Sequence, residues 1–436
     1  MLTSKIFKNT SWMLFEKVVM MGGNLLITIF LARMLGTKDF GTINYFLALI
    51  AIIAPLSSLG MNSILTRDVI NFPQDKSTIF SSATAMRAVG SLIGVALLLI
   101  VGILFLDIND KEYFYLVILT MLSITSAFQG LEFWFQSEVN MKPVIIARLF
   151  IFVVFSVLKF IVVYLHLPLV FIISVFGLEL FFTGLGYWII FVIKGGALSF
   201  RHIDFTYCKK LFKKASWLML SSIAAVIYLK IDQVMLAEMS SREQVGIYSV
   251  AVRLSEVWYF IAIALVSSIF PSLLKSKNKN ESVYYEKLQY TCDLLCWIAI
   301  FLAIFVQLVS DYFVPLIFGQ EYSGSSVILS IHVWSGVFVF MRALASKWIL
   351  AEDCLHVSLI SQGAGAIINV VLNLILIPKY QATGAAIATL MSYSISGFLI
   401  FYFSSRTRPM ANVMFNSLFM PILGIKRYKF ILRKFQ

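Results

Sequence analysis

The chain has 436 residues, of which 60% are hydrophobic and 13% charged, and a formal net charge of +13. Soluble domains carry about 25% charged residues, so no aqueous fold absorbs this much apolar surface, whereas a bilayer does. The basic residues sit in short segments between apolar runs, which argues against nucleic-acid binding and for the bias of Lys and Arg toward one side of a membrane.

Lys5 and Lys8 precede a long apolar run that ends without a small-residue cleavage site, so the first helix reads as an uncleaved insertion signal. From there, apolar stretches and polar breaks predict twelve transmembrane helices, near 11–34, 41–62, 82–106, 113–137, 143–165, 169–193, 215–238, 246–272, 289–317, 325–348, 355–377 and 382–403. Alternate connections hold 26 Lys and Arg on one side, from Lys5 through Arg67, Arg87, Arg148 and the 194–214 segment to Lys434. The other side holds five: Arg33, Lys38, Lys111, Arg242 and Lys379. Both termini are therefore expected in the cytoplasm, with an even number of spans between them. The tail from 411, with Pro421 and the basic stretch Lys426–Lys434, reads as an interfacial amphipathic segment. Cys208, Cys292, Cys296 and Cys354 lack zinc-ligand spacing and read as free thiols on the reducing side.

A short repeat runs through this pattern. Leu31-Ala32-x-Met34 with Gly41 returns 205 residues later as Leu236-Ala237-x-Met239 with Gly246. The expected fold is an all-α polytopic membrane protein of two six-helix bundles, 1–205 and 206–410, followed by the tail 411–436. Six is even, so the bundles would share one topology and be related by a pseudo-two-fold axis along the membrane normal, with substrate held between them.

Enzyme signatures are missing: no paired-carboxylate loop, no metal-ligand cluster, no Gly-rich phosphate loop, and the histidines 166, 202, 332 and 356 are scattered. A membrane enzyme of glycan assembly would need a large external loop that this chain lacks. What remains is ionisable side chains inside the spans, which are costly in hydrocarbon and hence functional candidates: Glu132, Lys159, Glu179, Lys230, Asp232, Arg253, Glu256 and Arg342. Arg253 and Glu256 share a helix face, so Asp232 is placed to meet Arg253, either as a structural salt bridge or as a pair that a proton or ion breaks. Lys159 and Arg342 either snorkel to an interface or face a cavity with Lys230 and Arg253, where four cations would suit an anionic passenger. Gln129, Glu132 and Gln136 form a stripe suited to sugar hydroxyls or to interhelical hydrogen bonds. Glu179, without an obvious partner, is expected to take up a proton; with Asp232 and Glu256 it completes an ion-coupling set.

Several short motifs, in order along nearly the whole chain, carry a resemblance. They are Ala32-Arg33-x-Leu35-Gly36 with Asp39-Phe40-Gly41, Asp232-Gln233-Val234-Met235-Leu236, and Val245-Gly246-Ile247-Tyr248-Ser249 with Ala251-x-Arg253-Leu254. Leu316-Ile317-Phe318-Gly319 with Tyr322, Leu372-Asn373 to Ile377-Pro378, and Gly384-Ala385-Ala386-Ile387-Ala388-Thr389 complete the set. Together they resemble the polysaccharide transporter (O-antigen flippase, Wzx) family. The resemblance implies a fold like that of the multidrug and toxic compound extruders (MATE-like) in a bacterial inner membrane. It implies alternating access that carries undecaprenyl-pyrophosphate-linked O-antigen units from the cytoplasmic to the periplasmic leaflet. It implies no cofactor beyond a proton or sodium gradient. The partners it implies are the polyprenyl-pyrophosphate-linked oligosaccharide, membrane lipids, an O-antigen polymerase and a chain-length regulator. An ion-coupled drug exporter on the same fold is the main rival, although its site would want acidic and aromatic residues without surplus Lys and Arg.

Overall fold

The computed structural model describes residues 2–277 and 279–420. Its helices are α1 (Leu2–Ser58), α2 (Asn62–Asn71), α3 (Lys76–Leu104), α4 (Asp110–Leu122), α5 (Glu132–Ser137), α6 (Lys142–Tyr164), α7 (Leu169–Ile193) and α8 (Phe205–Met239). There follow α9 (Arg242–Glu256), α10 (Tyr259–Lys277), α11 (Glu281–Phe318), α12 (Gly324–His332), α13 (Ser335–Ala351), α14 (Leu355–Gly397) and α15 (Arg408–Leu418). Among the described residues, ten helical stretches are long and apolar enough to cross a membrane. The chain divides into two compact units, Met1–Gly246 and Ile247–Gln436. Helix α8, which begins the second six-helix half in the sequence reading, falls within the first unit.

Helix starts are set by side-chain caps. Asn109 Oδ1 accepts from Glu112 N, Asp204 Oδ1 from Thr206 N and Tyr207 N, and Asn280 Oδ1 from Ser282 N and Val283 N. Polar side chains inside the spans bond back to their own helix, as Thr28 Oγ1 does to Asn24 O at 2.7 Å and Thr120 Oγ1 to Leu116 O at 2.7 Å. In hydrocarbon a hydroxyl has no other partner.

Two of the ten stretches reverse direction within themselves. In α1 the backbone leaves helical geometry at Gly36, with φ 72° and ψ 176°, a region that a side chain disfavours. Contacts give the sense of each arm. Residues before the break run parallel to α6, through Glu16–Arg148, Gly23–Phe152 and Phe30–Phe160. Residues after it run parallel to α4, through Phe46–Tyr115, and on into the segment that follows α4, through Ser57–Ser126. Helix α4 and that segment are parallel to α7 (Leu122–Gly177, Phe128–Trp188), and α7 is antiparallel to α6 (Lys159–Glu179, Arg148–Tyr187). The arms of α1 are therefore antiparallel. In α14 the break is at Gln381, with φ 50° and ψ −130°. Asn369 Nδ2 donates to Ser392 Oγ at 3.4 Å. A continuous helix would hold those residues about 34 Å apart, so α14 is a hairpin.

The repeated glycines have a physical reason. A Cβ on Gly41 would lie 1.7 Å from Arg242 O, and one on Gly246 would lie 2.1 Å from Thr37 O. Residues 37 and 242 are themselves 205 apart, so each copy of the repeat packs its glycine on the equivalent carbonyl of the other copy.

Three spans read as continuous are broken. The 113–137 span is α4, then a 3-10 segment from Ser123 to Leu131, then α5. In the second unit the 246–272 span turns at residues 257 and 258, and the 325–348 span turns at 333 and 334. These turns keep i→i+3 bonds, such as Gly336 N to Val333 O at 3.0 Å. Side chains join them: His332 Nδ1 lies 2.9 Å from Ser255 Oγ, and Tyr259 Oη lies 3.2 Å from Ser335 Oγ. No Gly or Pro occupies either turn, which is why hydropathy passes over them. Helix α15 buries Met410, Ala411, Val413 and Met414 and anchors through Ser417, whose Oγ donates to Asp293 Oδ1 at 2.7 Å. The basic stretch Lys426–Lys434 lies outside the described residues.

Candidate functional site

Two adjoining cavities open in the first unit. The larger, about 570 Å³, is lined by Asn62, Thr66, Arg67, Ile70, Asn71, Phe133 and Gln136. The smaller, about 290 Å³, shares Phe133 and Gln136 and adds the charged side chains of Glu16, Lys17, Glu132 and Arg148, among methionines 13, 20 and 141. Helix α2 supplies one wall of the first, α5 the partition, and the first arm of α1 with α6 the wall of the second.

Arg148 organises the smaller cavity. Its Nη1 lies 2.6 Å from Glu16 Oε1, its Nη2 2.5 Å from Glu132 Oε2, and its Nε donates to Tyr187 Oη at 2.6 Å. One guanidinium thus faces two carboxylates, with Lys17 on the same lining. The Arg148 side chain is 25% exposed, so it reaches the cavity while remaining held. In the larger cavity Thr66 Oγ1 donates to Gln136 Oε1 at 3.2 Å. Arg67 lies 3.2 Å from Asp68, which also accepts from Tyr207 Oη at 3.2 Å. Amides, a hydroxyl, a guanidinium and a phenyl ring are groups that grip a sugar or its phosphate.

Arg87 and Arg148, counted above as loop charges, are not in loops. Arg87 is 4% exposed inside α3. It donates from Nε to Ala127 O at 3.1 Å and from Nη2 to Ser126 O at 3.5 Å, carbonyls of the 3-10 segment. Its Nη1 donates to Asn62 Oδ1 at 3.1 Å, at the cavity wall. Where the α-helical ladder lapses, a buried cation satisfies the freed carbonyls. Both arginines fall a few residues inside the spans drawn at 82–106 and 143–165, which was the available signal. Glu16, within 11–34, carried the same signal.

The expected site residues are distributed over both units. Glu132 and Gln136 line the cavities; Gln129, in the 3-10 segment, lines neither. Glu179 has a partner after all: Lys159 Nζ lies 2.5 Å from its Oε2 and 4.0 Å from the Phe176 ring centre, with Lys159 buried. Lys230 is half-buried and Asp232 buried on α8 in the first unit. In the second unit Arg253 is exposed and forms no ion pair among the described residues, and Glu256 ends α9 half-buried. Arg342 stands 5.6 Å from the Phe401 ring centre and donates to Ser358 Oγ at 3.4 Å. No three His, Cys, Asp or Glu side chains converge as a metal site among the described residues.

The helix order, the two reversals and the charged cavity define a polytopic α-helical membrane protein. Its fold matches that of an inward-facing multidrug resistance MATE family transporter of the MOP superfamily, with TM-score 0.70 and 14% identity over 90% of this chain and 94% of that one. It matches the lipid II flippase MurJ in an inward closed conformation, with TM-score 0.70 and 16% identity over 95% of this chain and 91% of that one. In sequence, residues 6–277 match the family described as "Polysaccharide biosynthesis protein", and the chain belongs to that family. It is 25% identical over 201 residues to the probable low-salt glycan biosynthesis flippase Agl15 of Haloferax volcanii, covering 45% of this chain and 42% of that relative's length. It is 20% identical over 408 residues to the capsular polysaccharide biosynthesis protein CapF of Staphylococcus aureus, covering 92% of this chain and 99% of that protein.

Proposed function

We propose that this chain is a flippase that moves a polyprenyl-pyrophosphate-linked oligosaccharide, an undecaprenyl-linked O-antigen or related repeat unit, across a bacterial inner membrane. The observation that carries the reading is Arg148, held by Glu16 and Glu132 at the wall of a cavity. A pyrophosphate competes with carboxylates for a guanidinium and can take both of its terminal nitrogens, which here go one to each of two carboxylates. The amide-lined cavity beside it accommodates the first sugars, and the polyprenyl tail stays in lipid. Family membership and the flippase among the relatives support the same reading. We further propose twelve crossings, each reversing helix counting twice, with both termini cytoplasmic and access alternating between the leaflets. Coupling to a proton or sodium gradient falls to buried carboxylates, with Asp232 and Glu256 as candidates alongside the Glu16–Glu132 pair.

The test is complementation of a deletion strain. Arg148→Ala is expected to abolish surface polysaccharide and to leave the lipid-linked repeat unit on the cytoplasmic leaflet, with normal amounts of protein in the membrane. Wild-type surface glycan from this variant would refute the assignment. A deletion that alters drug susceptibility and leaves surface glycan intact would favour the small-molecule exporter, which the likeness to a multidrug transporter keeps in view.

A further inference from the structure

The connection from α7 to α8 holds features that the cavity does not use. Its backbone is pinned to α3: Ser199 N donates to Ser81 Oγ at 3.1 Å, Asp204 N donates to Ser82 Oγ at 3.0 Å, and His202 Nδ1 lies 2.7 Å from Ser77 Oγ. These serines occupy the first turns of α3, at the end where the sequence reading starts the span 82–106 and so places the membrane–water boundary. On this fixed frame Phe200 is 92% exposed and Phe205 82% exposed. One face of α8 then docks inward through Tyr207, Leu211 and Ala215. The rest of its circumference presents Lys209, Lys210, Lys213 and Lys214, all exposed.

Those lysines stand three and four residues apart, a spacing that brings like charges together on a helix and destabilises it unless an anion intervenes. Among the described residues no carboxylate pairs with any of them, and the adjacent Asp204 is spent on capping α8. A solvated lysine face needs no phenylalanines, and a fixed loop at the boundary that turns two of them outward has apolar surroundings to meet. The general bias of Lys toward one side explains the charges but not this combination.

We propose that Phe200, Phe205 and the lysines at 209, 210, 213 and 214 form a docking face for the headgroups of anionic phospholipids, the rings seated at the acyl boundary and the ammonium groups on the phosphates. This rests on the chain being a membrane protein and not on the passenger proposed above. The inward side of the same helix places Tyr207 on Asp68, next to Arg67 of the larger cavity, so the lipids gathered here would flank the cavity mouth.

The test is native mass spectrometry of the full chain in detergent with equal amounts of phosphatidylglycerol and phosphatidylcholine. Wild type is expected to retain the anionic lipid preferentially, and the preference should weaken at high salt. The variant K209Q/K210Q/K213Q/K214Q is expected to lower the anionic-to-zwitterionic ratio about ten-fold, with the corresponding Lys→Arg variant unchanged. F200S/F205S should retain less of both lipids. The pairs K209Q/K213Q and K210Q/K214Q, each with an intermediate loss, provide the reading if the quadruple variant is not recovered folded. An unchanged ratio in the Gln variants overturns the proposal. So does a soluble acidic protein that co-purifies through these lysines while the lipid ratio stays the same.

Discussion

Helix α6 carries two cations eleven residues apart, and their surroundings differ. Lys159 is buried against Phe176 and forms an ion pair with Glu179. Arg148 is shared among Glu16, Glu132 and Tyr187 and reaches a cavity. In the sequence Lys159 reads as lying inside the span 143–165 and Arg148 as part of a connection, although the two stand at nearly equal distances from opposite ends of α6. The structure buries Lys159 in an ion pair with Glu179, which offsets part of the cost of the buried charge, and Lys159 lines neither of the two cavities. Arg148 holds Glu16 and Glu132 at the lining of a cavity that also carries Lys17. The two cations differ in access: Arg148 lines a cavity, and Lys159 is buried.

That contrast is open to direct attack. The largest effect is expected from Lys159→Ala, which strands Glu179 in the wall: about 3–5 kcal/mol of stability lost, measured by thermal unfolding in detergent. A loss below about 1 kcal/mol would mean the wall is wet. Replacing Arg87 with Met leaves the 3-10 carbonyls without donors and should cost about 2 kcal/mol or more in the same assay. Replacing both members of the closed pair, as K159M/E179L, should return stability to within about 1–2 kcal/mol of wild type. Retained transport in that variant would confirm that the pair is structural, and lost transport would restore Lys159 to the site. Arg148→Lys keeps the charge and loses the fork. Its stability should change by under about 1 kcal/mol while surface glycan output falls about ten-fold. The smallest effect is expected from Arg253→Gln. This side chain is exposed, so stability should move by under about 0.5 kcal/mol, and an unaltered surface glycan yield would remove it from the candidates.

Much of the architecture is legible in hydropathy because each span must bury its own backbone groups and outlast about 30 Å of hydrocarbon. Gly36 was visible as a boundary between two runs, and the positive φ there is what a glycine permits. The breaks at 123–131, 257–258 and 333–334 were not visible. Each is tolerated because a distant side chain or a tighter bond takes up the freed carbonyl, and such compensation leaves no local trace. The stripe Gln129–Glu132–Gln136 pointed to the right helix but missed that the segment enters α geometry only at Glu132. The cavity eluded the sequence for a related reason. Glu16, Glu132 and Arg148 lie on three helices and become one cluster only when those helices pack.

The sequence by itself determined that the chain lives in a membrane, roughly where its apolar runs lie along the chain, and that two glycines 205 residues apart belong to one repeat. Those properties depend on local periodicity, on the cost of apolar surface in water, and on a repeat written twice. The tertiary structure alone decided which buried charges close onto each other and which face open space. Pairing in a medium that screens little is set by the few ångströms between side chains on different helices, and nothing along one helix encodes that distance.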